Sequence, residues 1–277
     1  MARMRYVRPF DLDAAVETGY PGYRAQFISH LESGLLIVSH IEEGHCGPSL
    51  HYHHSDQLYY LVRGSMKVRL GDEVHPVPAG SLVYIPAGLA HCNWNEGPGT
   101  ETHFEMIIPA TGPGAPIAFF VDSPADVPEQ HRASRAGYVR QVERETLAEP
   151  LPGLRVQPLA DPGSGSGRCV INYMEVDPGK AGPGMHVHEF DQYYLVLEGQ
   201  LTVEVALEKH LVGPETLVIL PAGVPHRQYN EGAVTERHIS LLAPAPEPGK
   251  PWDRGVSFTA NGADHGGATA EPAAGRR

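Results

Sequence analysis

From residue 35 onward the chain alternates apolar and polar positions in short runs, separated by Gly and Pro every eight to twelve residues. The runs 35–41, 57–62, 66–70, 81–85 and 102–108 are rich in β-branched, aliphatic and aromatic residues, and 169–176, 192–197, 201–205, 216–220 and 237–242 follow in the same style. Many short strands without sustained helical periodicity predict an all-β chain, and each half reads as a small antiparallel barrel. Helical signals are brief. Asp11 can cap a turn or two within 11–19, and 143–149 is a weaker counterpart. The Pro-, Gly- and Ala-rich region 111–137 reads as a linker, although 117–121 (Ile-Ala-Phe-Phe-Val) is apolar enough to add an extra strand. Past residue 250 the composition turns to Gly, Ala, Pro and Asn, which predicts a flexible tail over 251–277.

Chemistry concentrates in His51-Tyr-His-His-Ser-Asp-Gln57-Leu-Tyr-Tyr-Leu-Val-Arg-Gly64. Read as one β-strand, it places His51, His53, Gln57, Tyr59 and Leu61 on one face. Imidazoles two residues apart on a strand lie roughly 7 Å apart, close enough to converge on one ion. Downstream, Pro86-Ala-Gly88-Leu-Ala-His91 predicts a tight turn that delivers a third histidine to an adjacent strand.

The whole construction recurs. His186, His188, Gln192, Tyr194 and Gly199 repeat the first stretch, and Pro221-Ala-Gly223-Val-Pro-His226 repeats the turn, all displaced by 135 positions (His51 to His186). The correspondence runs without a gap from Gly44/Gly179 to Pro109/Pro244 at roughly 40% identity, which marks an internal repeat. Lead-ins are repeated as well: Tyr6-Val-Arg8 is echoed by Tyr138-Val-Arg140. The expected division is residues 1–125, residues 126–250 and the tail 251–277, and 277 residues suffice for two cores.

The net charge of −12 and the lack of any basic run argue against nucleic acid or an anionic membrane as partners. No apolar run is long enough to span a bilayer, and the basic N-terminus leads into Pro-Phe-Asp rather than a signal core, so a cytoplasmic location is expected. The three cysteines, Cys46, Cys92 and Cys169, stand opposite Ala181, Arg227 and Gly34 in the repeat and read as reduced thiols outside the shared machinery.

The motifs resemble those of the cupin superfamily. Gly44/Gly47, His51, His53, Gln57 and Gly64 match its first motif, and Gly80, Pro86, Gly88, His91 and Asn95 match its second. The other half matches with Gly179/Gly182, His186, His188, Gln192, Gly199, Pro221, Gly223, His226 and Asn230, departing at Glu215 where Gly80 stands. The resemblance implies two tandem cupin (double-stranded β-helix, jelly-roll) barrels. It also implies one divalent transition metal per barrel (Fe, Mn, Ni, Co or Zn), held by His51, His53, Gln57 and His91 and by His186, His188, Gln192 and His226. A glutamate is usual at the fourth position in metal-binding cupins. Glutamine is a neutral donor, leaves the full charge on the ion and favours Lewis-acid chemistry.

This donor pattern is similar to that of the bicupin isomerase of bacilysin-type pathways, cupin polyketide cyclases and cupin hydroxynitrile lyases. The expected partner is a small, enolisable carbonyl substrate that undergoes isomerisation, cyclisation or C–C cleavage. An O2-dependent dioxygenase and a non-catalytic metal-stabilised binding protein are the alternatives. Tyr59 and Tyr194, and His103 and His238, occupy matched positions near the ligands and are candidate proton carriers, with core packing as the competing account. His75 and His210 read as surface or turn residues, and Asp56 and Asp191 as supports of a turn; His30, His40, His45 and His54 read as solvent-facing. A homodimer is expected because barrel edges and 117–121 need cover.

Overall fold

A computed structural model describes residues 6–257, so 258–277 of the expected tail lie outside the described residues. The chain divides into two compact units. One comprises Phe10–Val142 with Leu159–Arg168; the other comprises residues 6–9, Glu143–Pro158 and the chain from Cys169 onward.

Each unit contains a seven-stranded and a five-stranded antiparallel sheet. In the first, Tyr59, Leu61, Val83 and Ile85 of the larger sheet meet Met66, Val68, Leu70 and Val77 of the smaller one in a single buried cluster, so the sheets pack face to face as a jelly roll. The second unit builds its core from Tyr194, Val196, Leu201, Val203, Val205, Val212, Val218 and Leu220, each displaced from its counterpart by 135 positions. The repeat in sequence is thus a repeat in packing. Every predicted run is a strand, with Gly34–Ile41 and Glu101–Ile108 buried along their whole length.

Three features differ from the sequence expectation. His51–Gly64 is two strands rather than one: His51–Tyr52 belongs to the five-stranded sheet, Asp56–Arg63 to the seven-stranded sheet, and the chain turns a corner between them. The division near residue 125 is replaced by an exchange of lead-ins. Tyr138–Gln141 pairs with Ser81–Ile85 of the first barrel, while Val7–Pro9 pairs with Thr216–Leu220 of the second. Finally, residues 251–257 belong to the second barrel, where Arg254–Gly255 adds an edge strand to His186–Val187.

Smaller corrections follow. His40 is buried at 4% exposure, its Nδ1 2.9 Å from Thr102 Oγ1, rather than solvent-facing. His75 and His210, expected at the surface or in a turn, lie on the strands Glu73–Pro78 and Glu208–Val212 and are partly exposed. Glu215 adopts φ 55° and donates its N–H to Val196 O at 2.8 Å, as Gly80 does to Leu61 O, so the substituted turn keeps its form. Asp11 caps a single 3-10 turn, Leu12–Ala14. Among the described residues no helix is long and apolar enough to cross a membrane.

Candidate metal centres

In the first barrel two sheets and one turn converge. His51 and His91 face each other across neighbouring strands of the five-stranded sheet, with ring centroids 4.3 Å apart. His53, at the corner, brings its ring to 4.9 Å from His51 and 5.1 Å from His91, and Gln57 enters from the larger sheet. The turn carrying His91 is clamped twice: Gly88 N–H donates to His53 O at 2.8 Å, and Ala87 N–H donates to Asp56 Oδ1 at 2.9 Å. Asp56 also accepts from Tyr84 Oη at 3.1 Å, so its support of the turn is direct. Gly88 has φ +81°, and a Cβ there would lie 1.7 Å from His131 O. Only glycine fits.

The second barrel repeats this arrangement. His186 and His226 are paired across strands at 4.4 Å between centroids, Gly223 N–H donates to His188 O, and Ala222 N–H donates to Asp191 Oδ1 at 2.8 Å. Each histidine triad brings its donor atoms within 4.8 Å of one another.

Backbone carbonyls dictate which ring nitrogen is free. His51, His53 and His91 place Nδ1 2.7, 2.6 and 2.8 Å from the carbonyls of Ser49, Ile117 and Leu89; His186, His188 and His226 do so at 2.7, 2.6 and 2.9 Å from Gly184, Phe190 and Val224. A carbonyl only accepts, so Nδ1 carries the proton and the Nε2 lone pair points inward. Burial disfavours the charged form of five of these rings. It lowers His51 to about 4, a shift that the neighbouring His53 reinforces, lowers His226 to about 3, and holds His53, His91 and His188 below the ordinary imidazole range.

Inward-pointing acceptors then confront one another. In the first barrel His53 Nε2, His91 Nε2 and Gln57 Oε1 are buried with no hydrogen-bond partner. In the second, His188 Nε2 and His226 Nε2 each lie 3.1 Å from Gln192 Oε1, an acceptor-to-acceptor approach for neutral rings. Such groups are costly unless a cation lies among them, so the residues present fit a divalent metal bound by three imidazoles and one amide oxygen.

The two centres diverge around this shared core. Gln57 Nε2 donates to the buried carboxylate of Glu105 at 2.5 Å, which turns Oε1 toward the histidines. Glu105 in turn accepts from Ser39 Oγ at 3.2 Å, and Tyr23 Oη lies 3.0 Å from the same serine. In the second barrel Ser240 replaces Glu105 and Gln192 Nε2 donates to its hydroxyl at 3.0 Å. Glu105 escapes the sequence reading because it is absent from the repeat. The available signal is an acid at inward parity, with His103, in the apolar run 102–108.

Tyr59 and Tyr194 lie two residues beyond the glutamines, roughly 7 Å deeper, and floor the donor set. Burial raises both phenols, so they stay protonated; Tyr194 Oη donates to Gln228 Oε1 at 3.0 Å. His103 and His238 lie deeper still: His103 pairs with Leu61, four residues beyond Gln57 and roughly 13 Å along the strand. Each is tied to a buried carboxylate, His103 to Glu101 at 3.0 Å and His238 to Glu236 at 2.8 Å. For His103 burial lowers the pKa, but Glu101 outweighs it and the net shift is upward. Both histidines are part of the buried barrel interior.

Comparison with known proteins agrees with this architecture. The cupin domain family matches residues 37–108 and 172–238, together half of the chain. An uncharacterized protein of Streptomyces coelicolor is 44% identical over 39 residues, a match that spans 14% of this chain and 37% of that protein's length. Among solved structures, a protein described as glyoxylate-induced from Pseudomonas aeruginosa superposes with a TM-score of 0.66 at 16% identity, covering 92% of this chain and 90% of its own. A serine-to-alanine variant of Bacillus subtilis oxalate decarboxylase gives 0.62 at 16% identity, covering 85% and 77%. At such identities the likeness speaks to the fold.

Proposed function

The chain belongs to the cupin domain family, and from that premise we propose that it is a divalent-metal-dependent bicupin enzyme acting on a small, enolisable carbonyl compound by isomerisation, cyclisation or C–C cleavage. His51, His53, Gln57 and His91 hold one ion; His186, His188, Gln192 and His226 hold the other. One observation carries the reading: in each barrel neutral acceptors with their protons committed elsewhere converge on one point, and in the first barrel three of those atoms have no partner. The chemistry such an ion supplies is Lewis acidity toward a carbonyl oxygen, which acidifies the neighbouring C–H. An amide in place of the usual carboxylate leaves more of the positive charge for that task.

The protein's own groups do the rest. Carbonyls of residues 49, 89 and 117 fix the ring orientations in the first barrel, and Glu105 fixes the amide. The Tyr59 phenol, held protonated, offers a hydrogen bond to a bound oxygen, whereas the Tyr194 proton is committed to Gln228 Oε1, and neither phenol acts as a base at neutral pH.

Metal content of untagged protein, measured by mass spectrometry, and oxygen uptake on a panel of enolic substrates test the reading together. About two equivalents per chain, deuterium exchange beside a carbonyl and no oxygen consumption are expected. Iron-dependent oxygen uptake would replace it with dioxygenation. Less than about a tenth of an equivalent after reconstitution would leave a binding protein.

A further inference from the structure

The correspondence between the halves continues past the block where sequence similarity ends. Phe119–Phe120 pairs with His51–Tyr52 in the register Phe119↔Tyr52 and Phe120↔His51. Arg254–Gly255 pairs with His186–Val187 in the register Arg254↔Val187 and Gly255↔His186. Each barrel thus carries a strap on the edge strand that bears its first histidine, and the straps too are 135 positions apart. Their side chains have nothing in common. Where the first strap is preceded by Ala118, the second is preceded by Asp253, and where Phe120 brings its ring to 5.7 Å from His51, the second has Gly255.

Asp253 lies beside the first histidine of the donor set. Its Oδ1 lies 3.6 Å from His186 Nε2, the inward nitrogen, since Nδ1 of that ring is bonded to Gly184 O. Two donors each about 2.1 Å from a common ion, at angles between 90° and 120°, lie roughly 3.0–3.6 Å apart. The Asp253–His186 pair meets that spacing, as do the 3.1 Å separations of His188 and His226 from Gln192 Oε1; the donor atoms that already lie within 4.8 Å of one another are those of the three histidines, so Asp253 joins them by a shift of its strap. Imidazole and amide donors bring no charge to a metal, so one carboxylate is also the group whose charge a dipositive ion most lacks here. The first barrel keeps its carboxylate, Glu105, behind the amide instead.

We infer that Asp253 is a fifth donor to a divalent ion in the second barrel, which makes the centres inequivalent: the second is closed by a carboxylate of the chain, while the first leaves that position to an external ligand. The inference rests on the reading that both triads hold metal. Because the Asp253 side chain is 40% exposed and its strap is only two residues long, the carboxylate is carried by a lightly anchored segment rather than by the core.

The test uses the full chain with the first triad disabled by His51→Ala and His53→Ala, so that Co(II) reports only on the second. Chelator competition gives its affinity, and visible absorption its ligand field. Asp253→Ala in that background is expected to weaken Co(II) binding at least about tenfold and to alter the spectrum, since even an outer partner of a ligand is worth that much. In the reciprocal background, His186→Ala with His188→Ala, Ala118→Asp is expected to strengthen the first centre and shift its spectrum in the opposite sense. Unchanged affinity and spectrum in Asp253→Ala, with Co(II) still bound, overturn the inference and leave the metal reading standing. No Co(II) binding in the His51→Ala, His53→Ala parent overturns the metal reading of the second triad, and the inference with it.

Discussion

Replacing Glu105 with leucine removes the one group that orients Gln57. In the first barrel the amide donates to Glu105 at 2.5 Å, and both residues are buried. A hydrogen bond to a charged acceptor contributes about 1.5–3 kcal/mol. Once it is lost, the amide is free to turn its NH2 toward the histidines, and the donor oxygen is presented for only part of the time. Outer partners of metal ligands are independently worth about 10–100-fold in affinity, or about 1.4–2.7 kcal/mol. The two estimates overlap. Glu105→Leu should therefore weaken the first centre about 10–100-fold, read by chelator competition with Zn(II) or Co(II) in the His186→Ala, His188→Ala background. Ser240→Ala, measured in the opposite background, removes a neutral bond worth about 0.5–1.5 kcal/mol and should cost the second centre about tenfold at most. Glu105→Gln keeps an acceptor without the charge and should fall between wild type and leucine. A loss below about threefold in a Glu105→Leu protein with wild-type circular dichroism would refute the claim that this carboxylate sets the amide.

Asp56→Ala leaves the Ala87 N–H and the Tyr84 hydroxyl without that carboxylate; urea unfolding should show a loss of about 1–3 kcal/mol, and metal affinity should fall in the first centre but not in the second. Gly88→Ala and Gly223→Ala separate crowding from backbone strain. Both have positive φ, but a Cβ at 88 meets His131 O at 1.7 Å while one at 223 meets nothing within 4 Å. Position 223 should lose about 1–2 kcal/mol by thermal or urea unfolding, and position 88 clearly more. His40 titrates from 6.5 down to about 4 because it is buried, with His103 and the Arg63 and Arg24 guanidinia adding to the shift. The unfolded chain then binds more protons than the folded one between those values, so stability is present above pH 6.5 and falls as the pH drops toward 4. His40→Asn should flatten that part of the stability-versus-pH curve.

The donor residues were legible because a binding site built on a repeat leaves its mark twice. His51, His53, Gln57 and His91 reappear at one offset, and no packing requirement alone demands that pattern in both copies. Parity nevertheless chose them through an incomplete picture, since 51–64 bends between two sheets and the convergence of His51 with Gln57 arises at that corner. Repetition marks the shared donors and hides the groups that surround them. Glu105 stands opposite Ser240 and Asp253 opposite Ala118, so demanding a repeated partner discards the residues in which the two centres differ.

What the amino-acid order determined by itself was local or periodic: short strands, tight Pro-Ala-Gly turns, two cores with matched apolar positions, and two sets of inward acceptors. Tertiary structure alone decided which barrel each lead-in joins, that His40 is buried, and which carboxylate stands near which candidate donor. The physical reason is range. Side-chain alternation and turn geometry act over a few residues and are written into them, whereas strand pairing between segments far apart in sequence depends on register. Register then sets which side chains face each other: Asp253 comes within reach of His186 because the strap strand beside it pairs His186 with Gly255.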